Sequence, residues 1–175
     1  MYQNKEKATT TFINQKIKKK IKKIQKEGID KFLITTCLRN IHEFTGVYSQ
    51  DELSNIRFIK IPFSIVVNID YNDEPGSHWL VIRVNRRFIE IYDSLGFESK
   101  YFTHYPKSIL SFIARFKLNK SIICTPVLQP IHSKLCGLYC IFFILNRQYN
   151  SFANCLSYFS ENLNQNDHLL IKYFR

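Results

Sequence analysis

Apolar residues recur at intervals of four and three over Lys16–Lys26 (KIKKKIKKIQK), where Ile17, Ile21 and Ile24 make one stripe among lysines. The spacing predicts an amphipathic helix with a basic outer face, preceded by a polar, frayed segment over residues 1–15. Gly28 interrupts the pattern, and Asp30 is placed to cap a second helix running to about Glu43, with Leu33, Cys37 and Ile41 inward. Phe44–Leu53 (FTGVYSQDEL) reads as a loop around Gly46, either a packed turn or the wall of a groove. Arg57–Asp70 is rich in Ile, Val and Phe but broken by Pro62, which predicts one bent strand or two short ones. Asn72–Ser77 (NDEPGS) is a turn.

Period two follows. His78–Val84 and Phe88–Asp93 flank a polar Asn85-Arg86 turn, the pattern of an antiparallel hairpin. With the turn centred between those two residues, Leu80, Ile82, Val84, Ile89 and Ile91 share a buried face, and His78 stands opposite Asp93 at its open end. Beyond Gly96 the chain loops, then Ser108–Leu118 reads as a helix with Ile109, Phe112, Ile113 and Phe116 inward. Ser121–Gln129 is a strand that Pro126 assigns to an edge or bulge. From Gly137 to Asn146 the chain is apolar almost all round, which predicts a buried helix with Cys136 in its first turn. The terminal segment Asn162–Arg175 is amphipathic through Leu169, Leu170, Tyr173 and Phe174 and is expected to dock on the domain.

Composition narrows the class. The chain has 175 residues, 45% of them hydrophobic and 15% aromatic, enough for one folded domain with a true core. Five cysteines without paired spacing, and no N-terminal signal pattern, point to a reducing compartment and a protein that is not secreted. No apolar run approaches the roughly 18 residues of a membrane span, so a soluble protein is expected. Asn119-Lys120-Ser121 matches a glycosylation sequon, a chance match without secretion. The net charge of +11 favours a polyanionic partner or an acidic surface. Lys18, Lys19, Lys20, Lys22 and Lys23 of the basic helix are the candidates to touch nucleic acid; the plainer reading is a solvated face on a helix whose isoleucines pack.

Four residues carry candidate chemistry. A cysteine at a helix start meets the positive end of the helix dipole, which favours the thiolate, although a buried cysteine is by itself an ordinary core residue. A carboxylate beside a histidine fixes the ring's tautomer and favours imidazolium, so His78 and Asp93 make the base and orienter of a nucleophilic site, or simply a polar pair at a sheet end. Gln129 precedes the loop leading into Cys136, where a side-chain amide can donate to an oxyanion alongside the Cys136 N–H. A metal site is a poorer reading. His132, Cys136 and Cys140 would share a face if one helix carried all three, but no second clustered pair completes four ligands.

The order His78-Trp79, Asp93, Gln129, then Cys136-Gly137-Leu138 seven residues later, resembles the adenovirus maturation proteases (adenain) and the superfamily they share with the ubiquitin-like-protein (SUMO) proteases. Phe44, Gly46 and Tyr48 and the terminal Tyr173-Phe174-Arg175 support the match, which runs from about Asp30 to the C-terminus. The resemblance implies a single-domain α+β cysteine protease fold, with a mixed or antiparallel central sheet flanked by helices and the nucleophile at the start of a buried helix. It divides the chain into a basic extension, residues 1–29, and a protease domain, residues 30–175. Cys136 would be the nucleophile, His78 its base, Asp93 the residue orienting His78, and Gln129 part of the oxyanion hole; Gly46, Val47 and Tyr48 would line the substrate groove. Two features depart from adenain: Asp93 stands where it has Glu, and Ile91-Tyr92-Asp93-Ser94-Leu95-Gly96 looks more like the SUMO-protease branch.

By that resemblance the function is a cysteine endopeptidase cleaving viral or virus-like-element precursor proteins at glycine-containing sites during maturation. No cofactor is needed for the chemistry, while DNA, bound non-specifically, and an activating peptide are the implied stimulators. Cys124 is a loose positional candidate for a disulfide to such a peptide. The implied setting is the virion and the host nucleus or cytoplasm, with the protein a monomer. The competing readings are an isopeptidase removing a ubiquitin-like modifier and a non-catalytic DNA-binding protein.

Overall fold

The structure is a computed structural model that describes residues 2–57, 60–97 and 105–175. Among these, five strands form one mixed sheet in the order β1-β2-β3-β4-β5: Phe44–Ser49, Phe63–Asn68, Trp79–Val84, Phe88–Tyr92 and Ser121–Cys124. β1 runs parallel to β2 and β5 parallel to β4, while the inner pairs are antiparallel. Six α-helices accompany the sheet: α1 Tyr2–Glu27, α2 Lys31–Leu38, α3 Lys107–Ala114, α4 Cys136–Arg147, α5 Phe152–Leu156 and α6 Leu163–Tyr173. The expected α+β architecture with a mixed sheet and a cysteine opening a buried helix is what the chain adopts.

Both faces of the sheet are covered. β2 and β3 are buried at every position, so they carry almost continuous apolar runs. One face presents Ile65, Val67, Leu80, Ile82, Ile89 and Ile91 to α3, whose Ile109, Phe112 and Ile113 turn inward as the spacing predicts. The other face presents Val47, Val66, Val81 and Tyr92 to α4, around which α1, α2, α5 and α6 collect. Ten consecutive residues of α4, Cys136 through Leu145, are buried, so it is the central helix of that layer. Its far end is pinned by charge. Glu90, fully buried on β4, accepts from Arg147 Nε at 2.8 Å and from Arg83 Nη1 at 2.9 Å. Two guanidinium groups offset the cost of burying that carboxylate.

Several elements differ from the sequence reading. Residues 2–15 are not frayed: α1 is one helix through Glu27, and Ile13, Ile17, Ile21 and Ile24 all enter the core. Asn14 Nδ2 donates to the Tyr173 carbonyl at 3.2 Å, which fastens α1 to the end of α6. Asp30 caps α2 as expected, accepting from the Leu33 N–H at 2.6 Å, but that helix stops at Leu38. Phe44–Leu53 is not a loop. It is β1, bulged between Phe44 and Gly46, followed by a 310 turn over Gln50–Asn55 closed by a Ser49/Glu52 capping box. Glycine weakens the local strand signal, and only pairing with β2 reveals it. Of Arg57–Asp70, only residues from Phe63 form a strand, and 58–59 lie outside the described residues. The loop expected beyond Gly96 falls mostly on 98–104, also outside them. β5 ends at Cys124, short of Gln129, because Pro126 has no N–H for the ladder.

The hairpin turn is displaced by one residue. Asn85 Oδ1 accepts from the N–H groups of Arg87 and Phe88, both at 2.8 Å, so Arg86-Arg87 becomes the two-residue loop. Ile82 then pairs with Ile91 and Val84 with Ile89. That slip moves each residue two positions along its partner strand, which preserves the faces. It does remove the predicted alignment of His78 with Asp93; continuing the register sets Asp93 across from Leu80 and diagonal to His78.

Since Ile17 is fully buried in the same core as α4, Ile17→Ala should lower unfolding stability by roughly 2–5 kcal/mol, while Lys19→Ala on the outer face should change it by no more than about 0.5 kcal/mol. Urea denaturation followed by circular dichroism measures both. An Ile17→Ala cost as small as that of Lys19→Ala would mean that α1 does not belong to the folded core.

Candidate active site

The site assembles where three chain segments converge on the first turn of α4. Cys136 is the first residue of that helix, 6% exposed, and no side chain caps the helix ahead of it. Gly137 permits this convergence: a Cβ there would stand 1.8 Å from Ile29 Cγ2. Ile29 belongs to the link between α1 and α2, and its carbonyl accepts from Trp79 Nε1–H at 3.1 Å. The Cys-Gly and His-Trp dipeptides thus meet through one residue. Gly137 makes room for the Ile29 side chain, Trp79 holds the Ile29 backbone, and Cys136 and His78 are carried into contact beside them.

His78 immediately precedes β3 and Asp93 immediately follows β4. Although not directly opposed, they are bonded, with His78 Nε2 and Asp93 Oδ1 2.7 Å apart and both side chains buried. The diagonal between neighbouring antiparallel strands is short enough for an imidazole to span. Cys136 lies close enough to His78 for the two side chains to interact. Asp93 is itself held on every side. Its Oδ1 accepts from the Leu95 N–H at 2.8 Å and its Oδ2 from the Tyr105 hydroxyl, while its N–H donates to Thr125 Oγ1 at 2.9 Å. Tyr105 and Thr125 did not emerge from the sequence, because each reaches Asp93 across a turn or strand that local pattern does not place.

Burial alone would lower the His78 pKa, but the charge and hydrogen bond of Asp93, together with those of Cys136, raise it from 6.5 to about 10. The ring therefore keeps its proton at neutral pH. Other cysteines are differently placed. Burial pushes Cys37 and Cys155 up to about 11 and Cys140 well above its ordinary value, which leaves them as thiols in the core.

Gln129 is 2% exposed and tied on both ends: Oε1 accepts from Ser94 Oγ at 2.6 Å, and Nε2 donates to the Ser133 carbonyl at 2.8 Å. The second bond anchors it to the loop that enters Cys136. A cleft of about 250 Å³ adjoins Cys136, lined among others by Gly28, Ile29, Pro75, Gly76, Trp79 and Lys134. Gly76 has a φ of +80°, and a Cβ there would stand 2.2 Å from Asn68 Nδ2. Gly46, Val47 and Tyr48 are placed on β1, with β2 between that strand and β3, and do not line this cleft. Lys18, Lys19, Lys20 and Lys22 point outward from α1, while Lys23, paired with Glu27 at 3.7 Å, borders the cleft.

No protein-family model matches the chain. The protease of bovine adenovirus 7 is 26% identical to it over 168 residues, covering 82% of this chain and 83% of that protein. Among solved structures, the selenomethionine ASFV pS273R protease aligns with a TM-score of 0.45 and 21% identity. That alignment covers 64% of this chain, which spans only 42% of the length of that protein. The resemblance to an adenovirus protease that the motifs carry is borne out over four fifths of the chain.

The raised His78 pKa links the pair to stability with a definite sign. A histidine that holds its proton more tightly when folded adds stability that is full below the unfolded pKa of about 6.5 and is lost as pH rises through about 10. In Asp93→Asn the charge retaining that proton is gone. Its urea midpoint should trail the wild type most near pH 6 and approach it toward pH 10; a gap that grows with pH would contradict the pairing. Separately, Gly137→Ala should cost about 1–3 kcal/mol by displacing Ile29, again read by urea unfolding, and no loss would mean that Ile29 yields freely.

Proposed function

We propose that this protein is a cysteine endopeptidase that cleaves viral or virus-like-element precursor proteins at glycine-containing sites during maturation. The observation that carries this reading is the buried His78, which bonds Asp93 through Nε2 and contacts Cys136 at the start of α4. Similarity to an adenovirus protease over most of the chain supports it.

In this reading the Cys136 thiolate attacks the scissile carbonyl carbon, and the carbonyl oxygen takes up the negative charge. The Gln129 amide and the Cys136 N–H donate to that oxyanion. The carbonyl re-forms as the C–N bond breaks, and imidazolium His78 gives its proton to the leaving amine. Neutral His78 then takes a proton from water, whose oxygen attacks the thioester; as the second tetrahedral intermediate collapses, the C–S bond breaks and the sulfur leaves as thiolate beside the re-formed imidazolium. Asp93 keeps the ring oriented throughout. The cleft beside Cys136, with Gly28, Pro75 and Gly76 in its wall, suits a substrate strand with little side chain at the reacting residue. The outward lysines of α1 provide a sequence-independent contact for phosphates, so DNA is the proposed stimulator.

A second reading has one sequence feature in its favour. Ile91-Tyr92-Asp93-Ser94-Leu95-Gly96 looks more like the branch that removes ubiquitin-like modifiers. Such an isopeptidase would use the same residues but need the folded modifier.

The deciding experiment offers the purified protein a panel of glycine-containing peptides and modifier fusions, with and without DNA. Peptide cleavage is expected, faster with DNA at low salt, and reduced at least about 10³-fold in both Cys136→Ala and His78→Ala. Cleavage of modifier fusions alone would favour the isopeptidase. Salt-sensitive DNA binding with no cleavage of either substrate would leave a binding protein.

A further inference from the structure

The proposed oxyanion donor, Gln129, is held by the hydroxyl of Ser94. Gln129 is buried, and its amide orientation is settled by its two partners. The Ser133 carbonyl can only accept, so the NH2 group must face it, 2.8 Å away. Oε1 therefore faces Ser94, whose hydroxyl must be the donor, at 2.6 Å. An amide nitrogen carries two hydrogens, and one remains after the bond to Ser133.

Ser94 is 1% exposed and its backbone does further work. Its carbonyl accepts from the N–H groups of both Leu128 and Gln129, each at 2.8 Å. Three hydrogen bonds thus run from one residue to the segment carrying Gln129. Its neighbour Asp93 holds the imidazole of His78. The two groups that must be set relative to Cys136, a proton carrier and an oxyanion donor, are consequently oriented by adjacent residues at the end of one strand.

We propose that Ser94 is a positioning residue for the reaction, its hydroxyl locking the Gln129 amide so that the free N–H is presented to the oxyanion. This rests on the cysteine-peptidase reading. Without the hydroxyl, Oε1 is left buried without its donor, and the amide gains freedom to turn. The loss falls on the step that builds charge on the carbonyl oxygen and leaves the nucleophile itself untouched.

The test is a double-mutant cycle of Ser94→Ala and Gln129→Ala, read as kcat and KM on a cleaved glycine-containing peptide, together with the rate of chloroacetamide alkylation of Cys136. Alkylation forms the S–C bond as chloride leaves a saturated carbon, so it builds no oxyanion. Ser94→Ala alone should lower kcat by roughly tenfold or more, with KM and the alkylation rate nearly unchanged. In the Gln129→Ala background the same substitution should change kcat less than about twofold. An equal kcat loss in both backgrounds, or an alkylation rate that falls in step with kcat, overturns the inference in favour of a general structural effect. If Ser94→Ala fails to fold, Ser94→Cys keeps the volume with a weaker donor and takes its place in the cycle, with turnover as the readout. Cys136→Ala tests the underlying reading separately; a wild type whose turnover does not depend on Cys136 overturns that reading and this inference with it.

Discussion

The seating of Ile29 over Gly137 is the contact on which the candidate site depends. A helix and a hairpin from distant parts of the chain must approach closely enough for a cysteine on one to meet a histidine on the other. At position 137 any side chain would collide with Ile29 Cγ2 at 1.8 Å, so only glycine allows the α1–α2 link to lie against the start of α4. The indole of Trp79 then binds the Ile29 carbonyl and brings the start of β3 to the same place. A steric requirement and one buried hydrogen bond thereby couple the two dipeptides that contain Cys136 and His78.

The electrostatics follow from the same closeness. Desolvation acts against a charged imidazole, and in an empty core it would win. Here Asp93 lies 2.7 Å away and is fully buried, so its charge is poorly screened and the ring retains its proton. The carboxylate can remain buried because donors surround it: the Leu95 amide, the Tyr105 hydroxyl and the histidine itself. A similar solution recurs at the other end of α4, where Glu90 is buried against Arg83 and Arg147. Both ends of the central helix are thus set against the sheet by compensated carboxylates at the strand ends or interior.

α1 connects fold and surface. Its isoleucine stripe is absorbed into the core and its lysines face outward, with Lys23 and Glu27 at the rim of the cleft beside Cys136. A segment that reads as an appendage is therefore physically continuous with the layer that carries α4.

Much was legible in the chain itself. Helical spacing located α3, α4 and the Lys16–Lys26 part of α1, period two located the β3–β4 hairpin and its inward face, and Asp30 announced its cap, because these signals are local and repeat over several residues; the segment that becomes α6 was marked only as amphipathic. Motif order marked His78, Asp93, Gln129 and Cys136. Other features were decided by contacts distant in sequence. β1 needs β2 beside it before its glycine-bearing stretch becomes a strand, and residues 2–15 become helix because Ile13 and Asn14 find partners in the core and on α6. The one-residue slip of the hairpin turn was chosen by the Asn85 side chain bonding two amides, an energy that hydrophobic alternation does not register. Tyr105, Thr125 and Ser94 became part of the site for the same reason. Sequence determined which residue types recur and on which face they fall, whereas tertiary structure alone decided which polar groups, once removed from water, had to find one another.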